Sequence, residues 1–230
     1  MIARITTAAD SRTPVVVFDL DGTLYDNRAR TLRILAEYAR EVRQTVPDVS
    51  ATLEALDLEG VAYLLADTLH GCGVTRIDVV QDVTRYWQDR FFTDDYLRHD
   101  ALVPGAVDYV RACHQAGATV VYFTGRDVTR MLPGTLAGLR DRGFPVGVAG
   151  VELLFNPDAT LSDEAYKRVA LPSLKRVGHV VALFDNEPAN CNIALQRYPD
   201  ATVARLETQK VPGAPDLAPE AVSIRDFRRA

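Results

Sequence analysis

Short apolar runs rich in β-branched residues recur along the chain at residues 15–18, 119–123, 146–151, 179–184 and 201–204. Near-continuous apolar character suits strands of a parallel sheet that is covered on both faces. Amphipathic stretches separate the later runs. One spans residues 106–115 after the turn signal Pro104-Gly105, one spans 128–142 and ends at Gly143, and one spans 162–177 and ends at Gly178. Strands alternating with helices predict an α/β domain built on a doubly wound, Rossmann-like parallel sheet.

The gap between the first two strands breaks this rhythm. Leu32, Leu35, Ala36, Ala39, Val42 and Val46 recur at helical spacing. Leu53, Leu56, Leu64, Leu65 and Leu69 do likewise, and so do Ile77, Val80, Val83, Trp87 and Phe91. About three helices without a strand make a connection much longer than an ordinary crossover. The expected division is a core domain of residues 1–27 and 100–230 and an inserted α-helical domain of residues 28–99. The tail beyond Leu206 holds Pro212, Pro215 and Pro219 and reads as an irregular wrap ending in a basic cluster at residues 225–229.

Composition narrows the function. The 230 residues are 47% hydrophobic and 25% charged, ordinary proportions for a globular chain that needs no disulfide staples. A net charge of -5 repels a nucleic-acid backbone, so no nucleic-acid partner is expected. Cys72, Cys113 and Cys191 are scattered and odd in number, which predicts free thiols in a reducing compartment. The first residues carry no apolar core of a signal peptide, and no apolar run nears the roughly 20 residues that span a bilayer. A soluble cytoplasmic protein with no membrane partner is the expectation. The oligomeric state is not readable.

The candidate chemistry begins where the first strand ends, in Val15-Val16-Val17-Phe18-Asp19-Leu20-Asp21-Gly22-Thr23. A buried strand there delivers two carboxylates to its C-terminal edge, where open α/β sheets bind ligands. Gly22 permits a tight turn and close approach of a ligand.

These residues resemble the first motif of the haloacid dehalogenase superfamily of phosphohydrolases, Asp-x-Asp-x-Thr, matched by Asp19, Asp21 and Thr23. The other family motifs follow in order. Thr124 matches the Thr or Ser that ends the second strand, within Phe123-Thr124-Gly125-Arg126. Lys167 matches the motif lysine, and Asp185 in Asp185-Asn186-Glu187-Pro188 matches the acidic motif. Lys175 is the weaker candidate for the lysine, because it leaves little helix before the next strand.

The resemblance implies an aspartyl-phosphate on Asp19 and a Mg2+ ion held by Asp19, the backbone carbonyl of Asp21, and Asp185. A carboxylate is ionised at neutral pH and splits one difficult step into two. Asp21 is the expected general acid and base, with a pKa raised by the like charges of Asp19 and Asp185. Lys167, Thr124 and the Gly125 amide are expected to grip phosphoryl oxygens. Three carboxylates and a phosphate need a cation, and magnesium takes oxygen ligands. Glu187, Asn190 and Thr23 are candidates for support of the metal site. Arg126 either reaches substrate or forms a surface ion pair.

His70, His99, His114 and His179 lack metal-ligand spacing. Tyr86, Trp87, Phe91 and Phe92 read as helix-bundle core before substrate platform. The helical insertion resembles a family cap, which selects a small phosphorylated substrate and excludes water. A phosphomutase on the same scaffold and a non-catalytic phosphate-sensing module remain the alternatives. A dehalogenase has no use for Asp21, and a phosphonate hydrolase would want a cap lysine, of which residues 28–99 have none.

Overall fold

The computed structural model describes residues 12–228. The expected N-terminal features therefore lie largely outside the described residues, as does Arg229. Strand β1 (Pro14–Phe18) contains the apolar run 15–18 read from the sequence and begins one residue earlier. It lies at the centre of a six-stranded sheet with β4 (Thr119–Asp127), β5 (Val151–Asn156), β6 (His179–Asp185), β7 (Thr202–Leu206) and β8 (Val222–Ile224). The strand order is β5-β4-β1-β6-β7-β8, and each neighbouring pair is parallel. Register aligns Phe18 with Tyr122 and with Phe184, so three strand ends reach the same edge.

Alternation along β1 explains the layers. Val16 and Phe18 face one apolar cluster, with Val110 and Cys113 of α6 (Ala106–Gln115) and Leu139 of α7 (Val128–Asp141). Val15 and Val17 face the other. That side holds Tyr166 of α8 (Asp163–Ala170), Leu171 and Leu174 of a 3-10 turn (Leu171–Arg176), and Cys191 of α9 (Pro188–Arg197). Helices on both faces of a parallel sheet are the doubly wound arrangement. Cys113 and Cys191 are buried, Cys72 is half-buried, and all are free thiols. No described helix is long and apolar enough to cross a membrane.

Between β1 and β4 come a two-stranded antiparallel ribbon and the helical insertion. The ribbon joins β2 (Tyr25–Asp26) to β3 (Ala101–Leu102), so the insertion leaves and returns through adjacent backbone. Its helices are α1 (Arg28–Glu41), α2 (Pro47–Glu54), α3 (Leu65–Gly71), α4 (Ile77–Phe91) and the single turn α5 (Asp94–Leu97). Leu35, Tyr38 and Ala39 of α1, Leu53 of α2, Leu69 of α3 and Val83 of α4 form an apolar cluster of their own.

Four sequence expectations need correction. The insertion holds four helices and an extra turn rather than three helices. Val46 is extended before Pro47, which starts α2 at a position where its missing N–H costs nothing. The third strand is Val151–Asn156, not 146–151, because Gly147 and Gly150 adopt φ of 68° and 77°, values that suit a turn. The stretch 162–177 is divided, since Pro172 lacks the N–H needed to continue the α-helical ladder. The tail is irregular as far as Ala221 but then adds β8, and Phe227 is buried against Phe18, Tyr109 and Phe184.

Phe227 thus closes the core beneath the central strands. Phe227→Ala is expected to lower the unfolding free energy by about 3–5 kcal/mol. Urea unfolding followed by circular dichroism checks this, and an unchanged midpoint would show that the tail contributes nothing to the core.

Candidate active site

Beyond Phe18 the backbone leaves β1 in a hydrogen-bonded loop. Asp19 N–H donates to Phe184 O at 3.0 Å, which keeps Asp19 beside β6. Leu20 O then accepts from the amides of Thr23, Leu24 and Tyr25. Gly22 has φ 80°, and a Cβ on it would lie 2.6 Å from the Asn186 side chain, so the turn requires glycine twice over. Asp185 ends β6, and Thr124 to Asp127 complete β4. Asp19, Thr124 and Asp185 therefore meet at one sheet edge.

Lys167 enters this edge from α8, whose N-cap Ser162 accepts from the Ala165 amide at 3.2 Å. Its buried ammonium donates to Asp19 Oδ1 and to Asp185 Oδ2, each at 2.8 Å. Asp163, one turn earlier on the same helix, is 3.1 Å from it. Lys175 is exposed on the 3-10 turn and takes no part. Burial alone would push the Lys167 pKa down, but Asp163, Asp185 and Asp19 outweigh it and hold the pKa well above the usual lysine value. Burial raises the Asp19 and Asp185 carboxyls, and Lys167 offsets only part of that.

The charge balance is the notable feature. Three carboxylates share one ammonium, which leaves two formal negative charges without a counterpart in this cluster. Among the described residues no three His, Cys, Asp or Glu side chains form a preformed metal cage, because the three aspartates converge on Lys167. Yet the donor set suits a hard divalent cation, which needs only one or two carboxylates when waters and a phosphate complete its shell. Asp163 Oδ1 and Asn190 Oδ1 are also buried without a hydrogen-bond partner, as oxygens awaiting a cation or its water would be.

Asn190 donates to both oxygens of Asp185 at 3.2 and 3.1 Å and to Asp163 at 2.7 Å, so it orients both acids. Glu187 turns away. Its carboxylate accepts from the Val211 amide at 3.2 and 3.1 Å. Thr23 lies beside Asn186, with a long 3.5 Å hydrogen bond. Thr124 Oγ1 accepts from the Arg126 amide at 3.1 Å. A Cβ on Gly125 would sit 2.4 Å from Asp163 Oδ1, so only glycine lets α8 approach β4 here.

Asp21 departs from expectation. Its neighbours are cations: Arg126 donates to both carboxylate oxygens at 2.6 and 3.0 Å, and Arg30 of α1 donates at 2.7 Å. Burial would raise its pKa, but Arg126 and then Arg30 outweigh burial and hold the carboxyl well below the usual range. The like-charge repulsion inferred from sequence does not govern this group. Nor is Arg126 in a surface ion pair; it is buried and also donates to Asp100 at 2.9 Å. Asp100 in turn accepts from Arg30 at 2.7 and 2.9 Å.

Arg30, Asp100 and Asp163 were not found by sequence reasoning. Asp163 had a faint signal, its i,i+4 spacing to Lys167; the other two had none. Asp19, Asp21, Thr124, Gly125 and Arg126 line a cavity of about 610 Å³ that extends beneath the insertion. Trp87, Phe91 and Phe92 line it as well, so these rings serve the cavity wall rather than the bundle core alone.

A parallel α/β scaffold whose strand ends gather aspartates around one lysine, with helices inserted after the first strand, defines a class of hydrolase. The chain belongs to the haloacid dehalogenase-like hydrolases, whose family profile matches residues 13–152. No curated protein gives a significant match. Solved structures share the fold at low identity. A HAD-superfamily hydrolase of subfamily IA, variant 1, from Geobacter sulfurreducens has TM-score 0.56 and 11% identity, covering 96% of each chain. A predicted phosphoglycolate phosphatase from Haemophilus somnus has TM-score 0.54 and 14% identity, covering 94% of this chain and 95% of that one. A HAD family hydrolase from Deinococcus radiodurans, solved with bound phosphate and sodium, has TM-score 0.52 and 18% identity, covering 90% and 84%.

Removing Asp100 leaves two buried guanidiniums sharing Asp21 alone. Asp100→Ala is expected to cost about 3–5 kcal/mol of stability. Chemical denaturation measures it, and a loss within experimental error would show that the buried pair is not a structural requirement.

Proposed function

We propose that the protein is a magnesium-dependent phosphatase that hydrolyses a small phosphate monoester through an aspartyl-phosphate on Asp19. The observation that carries this reading is the Asp19 carboxylate at the C-terminal edge of the central strand, buried and 2.8 Å from the same ammonium that holds Asp185. A nucleophile, a phosphate-binding cation and a metal acid thereby share one pocket. Likeness to a structure solved with phosphate agrees with this reading at the level of the fold.

In the first step an Asp19 oxygen forms a bond to phosphorus while the bond to the ester oxygen breaks, and the departing alkoxide takes a proton from Asp21. In the second, Asp21 takes a proton from water, water oxygen bonds to phosphorus, and the acyl-phosphate bond breaks to restore Asp19. Lys167, with Thr124 Oγ1 and the Gly125 amide, stabilises charge on the phosphoryl oxygens. Asp19, Asp185 and the main-chain carbonyl of Asp21 would hold magnesium, which supplies the positive charge that Lys167 alone does not.

The arginine clamp adds a condition to this scheme. Asp21 as described is an ionised carboxylate accepting from Arg126 and Arg30, the form that serves the water step. To donate a proton it must first give up part of that clamp, and the cavity beside it is where an incoming ester would compete. Residues 28–99 act as the cap domain over the core of residues 1–27 and 100–230. A separate apolar cluster and a two-stranded connection support that division.

Phosphate release from simple esters is expected only with magnesium present, and to cease in EDTA. Asp19→Asn should bring it to background, and turnover persisting in that variant would refute the mechanism. Asp21→Asn should lower kcat by about 10²–10⁴. Wild-type kcat in that variant would remove Asp21 from the proton transfers.

A further inference from the structure

Resting on the phosphatase reading, we propose that the leaving group of the substrate is an uncharged alcohol that carries an aromatic ring, bound against the rings of Trp87, Phe91 and Phe92. The 610 Å³ cavity is far larger than a phosphoryl group needs, so most of it faces the rest of the ester. The insertion lines that space with apolar groups. Trp87 and Phe91 stack at 4.3 Å and 26°, and Phe92 stands edge-on to both, at 5.6 and 5.0 Å. The indole N–H donates to Thr31 Oγ1 at 3.1 Å, which leaves the ring without a polar demand on a ligand. Tyr63, Leu64 and Phe92 also line the cavity and are 45%, 44% and 37% exposed, and the Tyr63 hydroxyl is already engaged by Glu187. Exposed apolar groups gathered around a concave site mark a ligand surface.

The charge balance of the cavity disfavours the common alternative, a substrate with a second anionic group. Four arginines line the cavity, and each is already paired with an aspartate. Arg28 pairs with Asp26, Arg130 with Asp127, and Arg30 and Arg126 with Asp21 and Asp100. A carboxylate or second phosphate on the leaving group would have to share an arginine with the acid it already pairs, beside the further acids Asp163 and Glu187 of the same lining. An aromatic ring needs no such sharing and gains edge or face contacts with three rings.

The wall also lies where a leaving oxygen should be. Arg30 donates to Asp21, its Nη1 donates to Phe91 O at 2.8 Å, and its guanidinium lies 4.2 Å over the Phe91 ring. The aromatic surface is therefore one side chain removed from the proposed acid.

The test measures kcat/KM with magnesium for 2-phenylethyl phosphate, glycerol 1-phosphate and 2-phosphoglycolate; each leaving oxygen sits on a saturated carbon, and only the first alcohol carries an aromatic ring. The aromatic ester is expected to be favoured by about tenfold or more over each of the others. In Phe92→Ala, and in Leu64→Ser as a second exposed-site variant, this preference should fall by about fivefold, chiefly through KM, with the melting temperature confirming the fold. If glycerol 1-phosphate or 2-phosphoglycolate is hydrolysed as well as the aromatic ester, the proposal is overturned and the phosphatase reading stands. A preference unchanged in both folded variants would likewise overturn the role of this wall. If no ester releases phosphate, the phosphatase reading itself fails and this inference with it.

Discussion

The ammonium of Lys167 is the contact on which the active-site geometry depends. Asp19, Asp163 and Asp185 come from a loop after β1, the first turn of α8 and the end of β6, and they would repel one another in a buried pocket. One lysine between them makes their approach tolerable without neutralising them. The residual negative charge suits the proposed cation, which would in turn draw in an anionic phosphoryl group that the aspartates alone would repel. Burial adds to this by raising the cost of each uncompensated charge.

The sheet provides the positions that the lysine then ties together. β1 lies between β4 and β6 in parallel register, so residues following Phe18, Phe123 and Phe184 emerge at the same edge. Two glycines then set how closely the pieces approach: Gly22 under Asn186, and Gly125 against Asp163. Neither position tolerates a Cβ without displacing a neighbouring side chain, Asn186 next to Asp185 in the first case and Asp163 itself in the second. The precision of the pocket is thus a property of backbone packing as much as of the charged groups.

Sequence reading recovered the parts of this arrangement whose signals are local. β1 and β6 are contiguous apolar runs; Asp19 directly follows the first and Asp185 ends the second. Lys167 was legible because a helix must separate it from the strand that follows. Strands at the margins were harder. β5 is an edge strand with half-buried residues and an exposed Glu152, so it lacks the continuous apolar character of the centre. β8 has only three residues, Val222–Ile224, set after a proline-rich stretch. The electrostatic setting of Asp21 was read wrongly for a different reason. Its spacing from Asp19 is visible in the chain, whereas Arg126 and Asp100 reach it only through the folding of distant segments.

That buried network joins the insertion to the chemistry. Arg30 belongs to α1, yet it bonds to Asp21 after the central strand, to Asp100 where the chain returns from the insertion, and to Phe91 at the end of α4. One fully buried guanidinium therefore contacts the proposed acid, the exit of the insertion and the aromatic wall. A shift of α1 relative to the sheet would withdraw a donor from Asp21 and move the Phe91 ring at the same time. Buried charges so placed resist small displacements, because each lost hydrogen bond exposes an unpaired ion to a low-dielectric interior. The posture of the insertion and the proposed proton transfers of Asp21 would consequently be coupled through a side chain that makes no contact with the reacting phosphorus in the mechanism above. In the proposed mechanism, selection of the leaving group by the insertion and activation of its oxygen by the core would be two ends of one hydrogen-bonded chain.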